Sequence, residues 1–163
     1  MRVWRICREK YAASAFSGEG ARLFAGRWNP RGVAMVYCST SLALAALELF
    51  VHLDPSVAPE DLVATAAEVP GDLESIPRRN IGDLPAGWRA TENLALREMG
   101  TAWVESGESM ALLVPSAIID EGWNVLLNPA HADFALIRTE PPKPFHFDAR
   151  MFLRCAALGP KAE

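Results

Sequence analysis

The order of apolar and polar positions divides the chain into elements of two periods. Residues 2–7 place Val3 and Trp4 in a β-favouring run, which predicts an opening strand. Residues 33–38, VAMVYC, form a second apolar run of strand length, and Ser39, Thr40 and Ser41 then offer N-caps for a helix. In LALAALELFVHL, residues 42–53, Leu42, Ala45, Ala46, Leu49, Phe50 and Leu53 recur at helical spacing. Leu44, Leu47 and Val51 fill the other faces, so the pattern predicts a helix buried on all sides. The stretch 54–61 reads as a turn, and 62–70 as a strand that Pro70 and Gly71 end.

The proline-rich stretch 72–89 reads as irregular. A helix is predicted over 91–105, with Leu94, Leu96, Met99, Ala102 and Trp103 on one apolar side and charges elsewhere, as on a protein surface. After Gly107, SMALLVP, WNVLLNP, FALIRT and PFHFDAR read as four strands separated by prolines and polar turns. Helices early and strands late favour an α+β fold, with mixed or antiparallel sheets and flanking helices, over an alternating βαβ sheet. One long segment fits neither period. SGEGARLFAGRWNPRG, residues 17–32, carries Gly18, Gly20, Gly26, Gly32 and Pro30, and it reads as an ordered loop of the length that usually serves function.

Length and composition narrow the function. A chain of 163 residues has room for one compact domain, expected over 1–156, with the residues from 157 onward fraying. A net charge of −4 argues against nucleic-acid binding: Arg2, Arg5, Arg8 and Lys10 crowd the N-terminus without forming a basic stripe. Cys7, Cys38 and Cys155 are far apart and odd in number, and charges interrupt the N-terminus where a secretory signal would need an apolar run. Both features fit a reducing cytoplasm. The apolar stretch 33–53 is broken by Ser39, Thr40 and Ser41 and carries Glu48, so no membrane span is expected.

Motifs for several chemistries are missing. A dinucleotide fingerprint on Gly18 and Gly20 would need glycine where Leu23 stands. His52, His131 and His146 have no partners at metal-ligand spacing, so no metal is expected. A serine hydrolase built on Ser116 lacks the G-x-S-x-G elbow.

What stands out is Glu48, the only Asp, Glu, Lys or Arg between Arg31 and Asp54. In an apolar helix its charge needs compensation, either from His52 one turn on or from a role in a cleft, where perturbed groups gather with function. Such a carboxylate can stabilise positive charge developing on a sugar ring. Arg27, in GRWNP beside Trp28, has the planar fork that suits phosphate, or is a solvated loop arginine. Tyr37, just before the helix, can stack an aromatic base or fill the core.

These blocks, SGEGARLFAGRWNPRG, VYCSTSLALAALELFVH, LLVPSAI and NVLLNPAHADF, taken in this order, resemble the RES-domain family over most of the chain. The resemblance implies a fold like that of ADP-ribosyltransferases. It also implies the toxin of a toxin–antitoxin pair that depletes NAD, or else a protein ADP-ribosyltransferase or a silent antitoxin-binding module. Carried over residue by residue, it implies that Arg5, Arg27, Tyr37, Glu48 and Ser116 line the NAD pocket. Glu48, Arg27 and Ser116 would be catalytic, with Ser116 assisting Glu48 by hydrogen bonding, and Asn128 a further NAD-binding position or a cap for the turn before Pro129. NAD would be the substrate, and the partner a helix-turn-helix antitoxin of Xre type that covers the pocket as a hetero-oligomer.

Overall fold

A computed structural model describes residues 1–54, 57 and 59–152; Cys155 and the tail expected from 157 lie outside the described residues. Seven strands make up its sheet: β1 Arg2–Arg8, β2 Val36–Ser39, β3 Leu62–Glu68, β4 Ala111–Pro115, β5 Trp123–Leu127, β6 Arg138–Thr139 and β7 Lys143–Phe145. They run in the order β4-β5-β2-β1-β3-β6, with β7 also on β3, and every strand pair is antiparallel. The α+β expectation holds. Among the described residues, parallel pairing occurs only as one isolated bridge between Arg78 and Leu113.

Among the described residues three α-helices accompany the sheet: α1 Glu19–Leu23, α2 Leu42–Phe50 and α3 Leu94–Ser106. The side chain of Ser41 accepts from the amide of Leu44 at the start of α2, the cap its sequence invited. Asn93 caps α3 in the same way, and Gly107 ends that helix in the left-handed region at φ 60°. Leu96 and Trp103 of α3 pack with Leu112, Val114 and Leu126 of the sheet, together with Trp28, Met35 and Trp88. Across the molecule Ala45 of α2 packs on Ile6, Leu62 and Ala64. Phe50, at the end of α2, meets Phe147 and Phe152 with ring centroids 5.6 and 5.3 Å away, which seats the helix end on the segment after β7.

Several expectations change. The helix expected over 42–53 ends at Phe50: the amide of Val51 still bonds to the Leu47 carbonyl, but those of His52 and Leu53 bond only three residues back, to Leu49 and Phe50, in a tighter turn. Nor is α2 buried all round: only Leu44 and Ala45 are fully buried, Ala43 is exposed and Val51 is 54% exposed. It packs on the sheet through one side only. The loop 17–32 contains α1. The run 134–139 starts within a 3-10 turn over Ala132–Leu136, because the His131 side chain accepts from the amide of Asp133 and favours a turn over a ladder, and only Arg138–Thr139 pair as a strand. The run 144–150 gives only the last residues of β7, then a turn capped by Asp148.

On α3 the apolar side is Leu96, Gly100 and Trp103, and Leu94 is 70% exposed. Gly100 is there because a Cβ would collide with the backbone carbonyl of Trp28. Among the described residues no helix is long and apolar enough to cross a membrane.

Candidate active site

A cavity of about 470 Å³ opens where β1, β2, β4 and β5 meet α2 and the loop before β2. This is the size range of small-molecule sites. Arg5 enters from β1, Arg27 from the loop, Tyr37 and Ser39 from β2, Glu48 from α2 and Asn124 from β5.

Glu48 is half-buried, and its grip is one-sided. Ser116 Oγ donates to its Oε1 at 2.7 Å, and Asn124 Nδ2 donates to the same oxygen at 2.5 Å. Among the described residues Oε2 accepts no hydrogen bond. Ser116 is fully buried just past β4, and its Oγ accepts the amides of Ile118 and Ile119 at 3.0 and 3.1 Å. Its one proton is therefore directed at Glu48. Compensation for the carboxylate comes from these two neutral donors. No ion pair joins it to His52, which lines the same cavity, among the described residues.

The opposite end of the cavity is built by the loop around a buried asparagine. Asn29 Nδ2 donates to the carbonyls of Ala21, Pro30 and Val33, and its Oδ1 accepts from Tyr37 Oη at 2.7 Å and from the Gly26 amide at 3.2 Å. Tyr37 Oη in turn accepts the amide of Trp28 at 3.0 Å. Its hydroxyl is fully employed, so what Tyr37 offers the cavity is its ring. Burial raises its pKa well above the ordinary value, against the opposing pull of its hydrogen bond from Trp28. Gly26 has no room for a side chain: a Cβ would stand 2.5 Å from Tyr37 Oη and 2.7 Å from Asn29 Oδ1.

Arg27 is half-buried and clasps a second loop. Its Nη1 donates to the carbonyls of Trp88, Arg89 and Ala90 at 3.0, 2.5 and 2.7 Å. Burial lowers its pKa while the Glu48 carboxylate opposes the shift, so the two charges act on each other across the cavity. Arg5 sits on a central strand of the sheet, which holds it firmly despite its place near the start of the chain. Its Nη1 donates to the Tyr37 carbonyl at 2.7 Å, tying β1 to β2 where their ladder is only one pair long. Its Nε is buried with no acceptor among the described residues.

The family model for the RES domain matches residues 2–148. The chain belongs to the RES domain family. It is 40% identical over 152 residues to a "Prs ADP-ribosylating toxin" of Sphingobium sp. (strain YBL2), covering 91% of this chain and 94% of that protein. It is 37% identical to a "Toxin Res" of Photorhabdus laumondii, covering 93% and 97%, and 34% identical to a "Toxin Res" of Pseudomonas putida, covering 93% and 100%. The RES domain also shares its fold with the M. tuberculosis MbcT–MbcA toxin–antitoxin complex: TM-score 0.67 at 16% identity, over 89% of this chain and 84% of that one.

Of the residues singled out in the sequence, this RES domain brings Arg5, Arg27, Tyr37 and Glu48 to one cavity, with Ser116 touching Glu48 from behind. Asn128 stands elsewhere. It is 1% exposed, its Nδ2 donates to the Val104 carbonyl at 3.0 Å and its Oδ1 accepts the Ala130 amide at 3.0 Å, so it clasps the end of α3 to the turn after β5. Sequence reasoning missed Asn124, Ser39 and Asn29. The Asn of GRWN was visible beside Arg27, but Ser39 and Asn124 are 85 residues apart and meet only through the β2–β5 register. No group of three or more His, Cys, Asp or Glu residues able to hold a metal is present among the described residues.

Proposed function

We propose that this chain is a toxin of a toxin–antitoxin pair that acts on NAD by cleaving the bond between nicotinamide and ribose. The observation that carries the proposal is the one-sided grip on Glu48. With both donors on Oε1, Oε2 presents negative charge to a cavity that also holds two arginines. An anion in that position lowers the barrier to losing nicotinamide by stabilising the oxocarbenium-like charge that develops on the ribose. Arg27 and Arg5, which both line the cavity, hold the pyrophosphate. The ring of Tyr37 stacks on the nicotinamide side, and Ser116 orients Glu48. The leaving nicotinamide is replaced by water or inorganic phosphate at the ribose carbon.

A second reading, transfer of ADP-ribose to a protein, is favoured by the relative at 40% identity, which is described as an ADP-ribosylating toxin. The partner in either reading is a helix-turn-helix antitoxin that covers the cavity in the cytoplasm, and a solved structure with this fold is a toxin–antitoxin complex. Product identification separates the readings. The purified chain is incubated with NAD, with and without inorganic phosphate, and with labelled NAD plus a cell lysate. Free nicotinamide with a phosphate-dependent sugar product identifies phosphorolysis, and ADP-ribose formed regardless of phosphate identifies hydrolysis. Label confined to one protein band identifies transfer. NAD left intact in all three incubations contradicts the proposal.

A further inference from the structure

The grip on Glu48 continues one residue deeper than its two donors. An asparagine amide is nearly the same shape in either orientation, and Asn124 turned over would set its oxygen against the Glu48 carboxylate, acceptor facing acceptor. Ser39 decides the orientation. Its Oγ donates to Asn124 Oδ1 at 2.7 Å, which leaves Nδ2 to face Glu48. The two residues are direct partners in the β2–β5 ladder, and Ser39 is 3% exposed, so water cannot easily take over the bond. Asn124 is also the ladder partner of Val114 in β4, two residues before Ser116. Both donors to Oε1 therefore come from neighbouring strands of one rigid sheet, and α2 supplies only the carboxylate.

We propose that Ser39 and Asn124 are positioning residues for Glu48: Ser39 sets the amide of Asn124, and Asn124 with Ser116 holds Oε1 so that Oε2 is the oxygen turned to the reacting sugar. The proposal rests on the reading of Glu48 as the charge-stabilising carboxylate. Misplacing such a group by a small distance costs on the order of 10²-fold in turnover, even where binding survives.

The test measures kcat and KM for nicotinamide release by the full chain and by Asn124→Ala, Ser39→Ala and Ser39→Thr, alongside the side-chain amide resonances of Asn124 in NMR spectra. Asn124→Ala is expected to lower kcat on the order of 10²-fold with KM nearly unchanged. Ser39→Ala is expected to lower it roughly tenfold, the loss of about one orienting hydrogen bond, and Ser39→Thr, which keeps the hydroxyl, to restore it. The Asn124 amide signals should move in both Ser39→Ala and Glu48→Gln.

Wild-type kcat in both Asn124→Ala and Ser39→Ala would overturn the proposal, as would amide signals that stay in place in both Ser39→Ala and Glu48→Gln. If Asn124→Ala does not fold, the Ser39→Ala and Ser39→Thr pair decides. If the wild-type chain releases no nicotinamide, the NAD reading fails, and the amide signals alone decide whether the Ser39–Asn124–Glu48 chain exists.

Discussion

At one end of the cavity Glu48 is held by donors that project from adjacent strands, Asn124 from β5 and Ser116 just past β4. At the other end Arg27 comes from a loop that a single buried asparagine, Asn29, ties together and fastens to the hydroxyl of Tyr37 on β2. Strand-borne groups inherit the stiffness of the sheet, whereas loop-borne groups are only as fixed as the side-chain bonds that close the loop. The difference shows in how each functional group is used. Glu48 keeps one oxygen for the cavity, while Tyr37 gives its whole hydroxyl, and Arg27 one of its nitrogens, to holding the structure. The carboxylate end should therefore respond to substitution in turnover, and the loop end in binding and stability as well.

The sharpest way to break the loop end is Gly26→Ala. The new methyl would push into Tyr37 Oη and Asn29 Oδ1, both committed to the same network. It is expected to cost about 1–3 kcal/mol in a denaturant titration and to reduce nicotinamide release on the order of 10²-fold. Gly20→Ala, a few residues earlier in α1 with nothing near its Cβ, is the matched control and should leave stability unchanged or raise it by about 0.5–1 kcal/mol. Equal losses in the two variants would mean that the loop is merely sensitive to any change.

Arg27→Lys probes the same end more gently. Lysine keeps the charge but loses the fork that clasps three carbonyls with one nitrogen and leaves another for the cavity. KM for NAD should rise roughly tenfold with a smaller change in kcat, and amide hydrogen exchange should quicken over 88–91. A fall in kcat alone would place Arg27 with Glu48 instead.

The smallest effect is one of pH. Burial raises the pKa of Tyr37, so above pH 10, the ordinary tyrosine value, the unfolded chain ionises at this position before the folded one does. Its contribution to stability is intact below pH 10 and is lost as pH rises beyond it. Tyr37→Phe should be less stable near neutrality by about 1–3 kcal/mol, because the Trp28 amide loses its acceptor. It should also show a shallower decline above pH 10 than the wild type. Parallel declines in thermal melts across that range would contradict the assignment.

The pattern of the chain carried the strands and both long helices, because their spacing and caps are local signals. It misled where local chemistry competes with a ladder: at 134–139 the His131 and Asp133 pair turns the start of an apolar run into a 3-10 turn. It misled again in α2, whose apolar faces suggested full burial although the helix buries one side only. The isolation of Glu48 among apolar residues was legible, and so was its need for compensation. Of its partners, Ser116 came with the family resemblance, while Asn124 was not legible, since it lies 76 residues away and reaches Glu48 only after β2, β4 and β5 have paired. Asn128 shows the reverse case: a buried polar residue in a motif block whose bonds all go to holding the fold.

In the proposed function Glu48 acts through the charge on Oε2 and is held through Oε1. Glu48→Gln separates the two, because a glutamine keeps an oxygen for Ser116 and Asn124 and places its uncharged NH2 toward the cavity. Nicotinamide release from NAD and the melting temperature of the variant should be measured against the wild type. The melting temperature is expected to stay unchanged, with release reduced on the order of 10²–10³-fold. A stable Glu48→Gln variant that releases nicotinamide at the wild-type rate would contradict this role of Glu48.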